Sequence, residues 1–350
     1  MSEHEDEATR NRWIGVLGAI GAGRDLDPAQ VRFAMAEIMS GRAEELRIGA
    51  FALGLMAKGV NAAELEAAAD GMLSFAAPVD APEAAEAVDI VGTGGDGAHT
   101  VNISTMAAVV VAATGVPVIK HGNRAASSRS GGADMLEALG LDITADRLRA
   151  PRHPDFRLTF VFAGAHHPAM RFAGPVRARL GVPTVFNLLG PLTNPAQPAA
   201  GLIGCAFADR MDTMAGVYAR RGQRVLVVRG ADGLDEITVT GPTAVRVVED
   251  GAVRAEEIAP EDFGMARAGL DALRGGTPAD NAEVARRVWA GEQTGPIRDA
   301  VLLNAAGAVA AARGFAGAPA AEAIGAALAD VRATVDSGRC AGIVDDVLAG

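Results

Sequence analysis

The chain has 350 residues, a formal net charge of −11, 49% hydrophobic and 21% charged residues, and only 4% aromatics. That balance belongs to a globular protein of about two domains, or one large α/β unit with an appendage, and excludes a disordered or collagen-like chain. An acidic, aromatic-poor chain also lacks the cationic surface and stacking platforms that favour nucleic acid, so no nucleic-acid partner is expected.

The opening MSEHEDEATR carries four acids where a secretory signal needs a basic region, which argues against export and against a mitochondrial address. Residues 1–80 read as helices separated by short turns. Asp27-Pro28-Ala29-Gln30 places a capping acid, a proline at the first helical position and a glutamine three residues after the cap. That helix runs through Val31, Met35 and Ile38 to a stop near Gly41, and Asn61-Ala62-Ala63-Glu64 repeats the capping logic before Leu65, Met72 and Leu73. At Ala87 the character changes. AVDIV is an apolar run of the buried-strand type, followed by GTGGDG and a helix from Ile103 to Thr114; VPVIKHGN is a second strand, leading through a basic loop into a helix that ends near Gly140. This alternation is the signature of parallel βαβ units. Further strands are expected at Phe160–Ala163, Thr184–Phe186, Gly201–Phe207 and Arg224–Arg229, and ITVTG with TAVRVVEDG suggests an antiparallel ribbon around Gly241-Pro242. Helices dominate from Asp280, with Ile324, Leu328, Val331 and Val335 on one face of the last long one. The expected fold is α/β: a small all-helical domain plus a large α/β domain whose mostly parallel central sheet is flanked by helices. The longest apolar run, Met106 to Ala113, is far shorter than the roughly 18 residues a membrane span needs. No membrane partner and a cytoplasmic location are therefore expected.

Gly92-Thr93-Gly94-Gly95-Asp96-Gly97 contains G-x-G-x-x-G at a strand-to-helix turn, but a dinucleotide site also wants an acid about 20 residues on. Between Gly97 and Ala133 there is no Asp or Glu, while Lys120, Arg124 and Arg129 stand uncompensated among Asn102, Ser104, Thr105, Asn123, Ser127 and Ser128. These groups fall in two loops at the C-terminal ends of parallel strands, where open α/β sheets place ligands, and a helix start near Ser104 adds its positive end. The two loops read as a cradle for a phosphorylated polyanion; a pair of solvated Gly-rich turns is the plain alternative for either alone. Asp232-Gly233-Leu234-Asp235-Glu236 follows the strand RVLVV and gathers three carboxylates suited to Mg²⁺ held jointly with ligand phosphates. His166-His167 lacks chelating spacing and reads as one core and one surface histidine. Cys205 and Cys340 are far apart, with neither disulfide nor zinc-ligand spacing, and neither a P-loop nor a G-x-S-x-G elbow occurs.

GTGGDG…VNIST, KHGNRAASSRSGGADMLEALG, HHPAMRFAGPVR, VFNLLGPLTNP and DGLDE stand in an order and spacing that resembles the anthranilate phosphoribosyltransferases over nearly the whole chain. The resemblance implies a homodimer of two-domain subunits, associating through a helical domain of residues 1–80 with a returning segment at 177–195. The α/β domain would comprise 81–176 and 196–350. The implied reaction moves phosphoribose from 5-phosphoribosyl 1-diphosphate (PRPP) to the amine of anthranilate, releasing diphosphate, with two Mg²⁺ ions per subunit. By similarity Gly92, Gly95, Asp96, Thr100, Asn102, Ile103, Ser104 and Thr105 line the PRPP site from the first loop. Lys120, His121, Gly122, Asn123, Arg124, Ala125, Ala126, Ser127, Ser128 and Gly132 line it from the second. Ser104, Asp235 and Glu236 match the magnesium positions, and Gly92, His121, Asn123 and Arg177 match positions that contact anthranilate. No covalent or acid–base residue is assigned. Pro151 and Pro154 depart from the pattern of the relatives. A pyrimidine-nucleoside phosphorylase shares the architecture but is disfavoured by the intact KHGN and DGLDE segments, and a nucleic-acid-binding, non-catalytic paralogue is disfavoured by the acidic charge.

Overall fold

The computed structural model describes residues 6–124, 129–143 and 157–349. Residues 144–156, with Pro151 and Pro154, and Ala125, Ala126, Ser127 and Ser128 lie outside the described residues. The chain divides into two compact units, residues 1–78 with 164–195, and residues 79–163 with 196–350. The segment returning to the first unit thus starts at Gly164, ahead of Arg177.

The first unit is helical. Its N-terminal part holds α1 (Glu7–Gly21), α2 (Pro28–Met39), α3 (Glu45–Lys58) and α4 (Ala62–Leu73). Both sequence-predicted capping boxes form: Asp27 accepts from the Ala29 and Gln30 amides at 2.8 and 2.9 Å, and Asn61 accepts from the Glu64 amide at 2.9 Å. Glu64 does more than close a box. It is fully buried, and its carboxylate accepts from the Leu26 amide at 2.7 Å and from Lys58 Nζ at 2.9 Å, so the α2 entry and the α3 end both depend on it. The returning segment adds the helix Gly174–Leu180 and a helical turn at Phe186–Leu189. The strand expected at Thr184–Phe186 is absent: Thr184 directs its amide onto Asn187 Oδ1 at 2.9 Å, a local side-chain bond that starts a turn and competes with extended pairing. His167 is buried with Nε2 2.9 Å from the Thr193 carbonyl, and His166 is half-buried.

The second unit is built on β1 (Val88–Gly92), β2 (Val118–Gly122), β3 (Leu158–Phe162), β4 (Ala200–Gly204), β5 (Arg224–Gly230), β6 (Thr243–Glu249) and β7 (Ala252–Ile258), in the order β3-β2-β1-β4-β5-β6-β7. The first five strands run parallel; β6 and β7 join antiparallel at the β5 edge. The antiparallel ribbon turns at Asp250-Gly251, both with positive φ, while Ile237–Gly241 forms no strand. The sequence reading placed this ribbon one turn too early, because β7 (AVRAEEI) is largely exposed and lacks an apolar face.

α5 (Ile103–Ala113) is buried on nearly every side, which explains its uniformly apolar sequence. It packs against β1 and the Ala-rich helix Pro296–Arg313, and Trp289 Nε1 donates to the Met106 carbonyl at 3.0 Å. α6 (Gly132–Ala138) follows β2. With few aromatics, close approach of small residues supplies the packing: a Cβ on Gly307 would lie 2.8 Å from Ile237 Cδ1. Among the described residues no helix is long and apolar enough to cross a membrane.

Where β1 and β2 leave their one register pair, Val88 with Val118, charged side chains replace ladder partners. Lys120 Nζ donates to the Ile90 carbonyl at 2.5 Å, and the His121 amide donates to Asp89 Oδ1 at 3.0 Å. The sheet therefore opens toward the C-terminal end of β1, beside the position where the chain order reverses and open α/β sheets place their ligands.

Glu64→Ala would leave the buried Lys58 ammonium without this partner and strip one acceptor each from Leu26 and Asn61. Lys58 keeps its pair with Asp25 at 2.6 Å, so unfolding in urea should show the variant destabilised by about 1–3 kcal/mol, chiefly from the two amides left without an acceptor, with Glu64→Gln milder.

Candidate active site

The C-terminal ends of β1, β2, β4 and β5 converge on one group of residues. After β5 the segment 231–242 folds back over the sheet. Asp232 holds it: its Oδ2 accepts from Thr238 and Thr240 hydroxyls at 2.6 Å each, and its Oδ1 accepts from the Leu234 amide at 3.1 Å. Asn304, fully buried in the helix Pro296–Arg313, donates to the Ile237 carbonyl and accepts from the Ile237 amide, both at 2.9 Å. Of the three carboxylates that the sequence grouped as a metal loop, Asp232 is therefore engaged in building the loop, and Asp235 and Glu236 are the two it presents.

Asp235 lies against two strand ends that have no side chain. A Cβ on Gly92 would fall 2.1 Å from Asp235 Oδ2, and one on Gly204 only 1.7 Å from the Asp235 carbonyl oxygen. Glycine is required at both positions by this approach. Asp235 Oδ2 accepts from the Gly94 amide at 2.7 Å, and Glu236 Oε1 accepts from the Ser104 amide at 3.2 Å, at the start of α5. Ser104 Oγ also lies 3.5 Å from Lys120 Nζ. The Gly-rich first loop, the second strand and the acidic loop are thus brought together, as their chemistry suggested.

The electrostatics differ from the sequence picture. Burial pushes the Glu236 carboxyl up to about 8, with the charge of Asp235 adding to it and Lys120 opposing it. Burial, then the charge of Asp96, raises Asp235 to about 6. Lys120 is driven down by burial, against the pull of Asp89, Glu236 and Asp235. The stretch that is acid-free in sequence is not acid-free in space. Arg124 forms a bidentate pair with Glu137 of α6 at 2.6 and 2.7 Å, so neither it nor Lys120 stands uncompensated. Parallel strands deliver acids from distant segments, which a linear count does not register. Side chains alone do not make this group of loops cationic.

The other expected residues are placed as follows. Gly95 and Asp96 lie in the loop after β1, and Thr100 bridges Arg274. The Ile103 and Thr105 side chains are buried at the start of α5, and Gly122 and Asn123 close β2. A cleft lined by Thr105, Lys120, Gly122, Gly132, Phe160 and Phe162 lies beside them. Arg177 belongs to the helical unit, its guanidinium 5.8 Å from the Phe186 ring centroid. Burial raises the Cys205 thiol to about 11 and that of Cys340 to about 12, so neither is a thiolate nucleophile at neutral pH. Among the described residues no three His, Cys, Asp or Glu side chains gather into a metal cage. Sequence reasoning did not find Asp89, Asn304 or Glu137, each of which meets its partner from a different element of the chain.

Fold and site together define a glycosyl transferase: residues 15–76 match the helical bundle domain of a glycosyl transferase family, and residues 84–341 match its a/b domain. The chain belongs to the anthranilate phosphoribosyltransferase family. It is 58% identical over 306 residues to the anthranilate phosphoribosyltransferase of Corynebacterium jeikeium (strain K411), covering 87% of this chain and 83% of that protein. The Rhodococcus jostii (strain RHA1) enzyme is 53% identical, with 94% and 90% covered. The solved anthranilate phosphoribosyltransferase of Thermus thermophilus is 40% identical with a TM-score of 0.82, covering 95% of this chain and 98% of that one. The Saccharomyces cerevisiae enzyme, solved in complex with PRPP and Mg, is 26% identical with a TM-score of 0.85 and covers 98% of each chain.

Gly204→Ala forces the Asp235 main chain to move. An ångström-scale displacement should cut kcat/KM about a hundredfold, measured beside circular dichroism that stays close to the parent.

Proposed function

We propose that this chain transfers the 5-phosphoribosyl group of PRPP to the amine of anthranilate, giving N-(5-phosphoribosyl)anthranilate and diphosphate. The observation that carries the reading is the half-buried Asp235–Glu236 pair set between two βα loops at the opening of the sheet. Two carboxylates with raised pKa values and no protein cage fit Mg²⁺ held partly by ligand phosphates. Asp235, Glu236 and the Ser104 hydroxyl would hold it. When bound, the metal supplies positive charge at the diphosphate oxygens. Two ions per subunit remain part of the proposal.

The chain's own groups position and neutralise. An aromatic amine is already a nucleophile, so the protein need only align it with the ribose carbon and stabilise the departing diphosphate. The Gly94 and Ser104 amides hold the two acids in place, and the positive end of α5 favours an anion beside them. Lys120, tethered to Ile90, contributes a fixed ammonium. Residues Ala125–Ser128 are assigned to the same ligand by motif. Arg177 offers a planar fork for the anthranilate carboxylate, and His121 and Asn123 are assigned to that substrate. The family reading extends to a homodimer through the helical unit, supported by the exposed apolar Ile14 and Leu46 of α1 and α3.

A fluorescence assay of anthranilate disappearance with PRPP and Mg²⁺ tests the main reading; a folded preparation that leaves the signal unchanged rejects it. Arg177→Ala should raise the anthranilate KM about tenfold or more while the PRPP KM stays near the parent value. Replacing Asp235 and Glu236 together by alanine should abolish the Mg²⁺ dependence along with most activity. The two acids hold protons more tightly folded than unfolded. Their contribution to metal-free stability therefore falls as pH rises from their ordinary values to about 8, and Mg²⁺ affinity rises across the same window as the competing protons leave. Because diphosphate itself titrates in this range, the test is a comparison: in Mg²⁺ titrations with diphosphate between pH 6 and 9 the parent should show a steeper rise of affinity than the Asp235→Asn, Glu236→Gln double variant, and equal slopes would mean the acids are not ligands.

A further inference from the structure

The two ligand loops are braced by a segment that lies far along the chain. Residues 273–276 run beside the loop after β1: the Val101 amide donates to the Leu273 carbonyl at 2.9 Å, and the Gly275 amide donates to the His99 carbonyl at 2.8 Å. The fit is close enough that a Cβ on Gly275 would lie 2.6 Å from the Thr100 carbonyl oxygen. The segment then enters the helix Pro278–Trp289, and Asn281 stands in its first turn, only 1% exposed.

Asn281 is oriented by its surroundings. Its Oδ1 accepts from the Gly276 amide at 2.9 Å, which leaves Nδ2 to donate to Asn102 Oδ1 at 2.8 Å. That donor in turn settles which way the Asn102 amide faces. Asn102 Oδ1 also accepts from Ser130 Oγ at 3.2 Å, and Asn102 Nδ2 donates to the Ser130 carbonyl at 3.1 Å. Asn102 precedes α5 and Ser130 precedes α6, so one buried amide fixes the bond that joins the first phosphate loop to the second.

We propose that Asn281 is a positioning residue for PRPP, acting through Asn102 to keep the two loops at the spacing the diphosphate requires. It does not touch the ligand itself. The proposal rests on the reading that these loops bind PRPP. Satisfied networks of this kind act as units, so removing the inner member should weaken the outer one rather than add to its loss.

The test is a double-mutant cycle in the full-length protein, Asn281→Ala, Asn102→Ala and the pair, with KM for each substrate and kcat measured separately. Asn281→Ala should raise the PRPP KM about tenfold and leave the anthranilate KM within about twofold. The double variant should be no worse than Asn102→Ala alone. A PRPP KM unchanged in Asn281→Ala, with only kcat lowered in proportion to the folded fraction, overturns the proposal, and so do penalties that multiply in the pair. Should Asn281→Ala not fold, Asn281→Ser leaves a smaller void and is read by the same comparison. An inactive parent enzyme would instead reject the function itself, which keeps the two failures apart.

Discussion

Two carboxylates with nowhere else to go organise the α/β unit. Drawing the half-buried Asp235 and Glu236 together out of water is costly unless both find donors. The surrounding chain is arranged to make that burial possible: Gly92 and Gly204 leave room, the Gly94 and Ser104 amides donate, and Lys120 brings an opposite charge from the next strand. The loop carrying the acids has its own fasteners in Asp232 and Asn304, neither of which needs to meet a ligand. The raised pKa values mark a site left electrostatically incomplete by the protein alone.

The scarcity of aromatics shapes the scaffold in a complementary way. Alanine, valine and glycine bury little area each, so the elements must approach closely to bury enough in total. α5 is enclosed by the sheet and by the helix Pro296–Arg313, and its first turn borders the acids. Its position is set by an apolar core, while the loops before it are set by hydrogen bonds. Rigidity and adaptability are thereby divided between two kinds of contact within one strand-to-helix unit.

Local signals were legible in the sequence. The capping boxes at Asp27 and Asn61 form where their spacing placed them, and the alternation of strands, Gly-rich loops and helices is the βαβ order of the sheet. What stayed hidden depends on distance along the chain or on competing local bonds. Asn281 meets Asn102 across 179 positions and Asp89 meets His121 across 32, and no periodicity encodes either meeting. Thr184–Phe186 has strand-like composition, yet Asn187 captures the Thr184 amide first. β7 hides for the opposite reason: as an edge strand it buries little and alternates poorly. The charge count between Gly97 and Ala133 missed the acids that approach these loops in space, since Glu137 and the acids of other strands were outside the window.

The opening between β1 and β2 has a consequence for how this site can change over time. At that point the Ile90 carbonyl is held by an ammonium and the His121 amide by a carboxylate, in place of each other's backbone. A lineage that lost Lys120 or Asp89 would not simply carry a weaker site. It would release backbone groups on neighbouring strands with an unmet need for partners, and the two strands would be free to pair further along their length. The opening is thus a seam held apart by charged side chains, and drift that neutralises them would let it close.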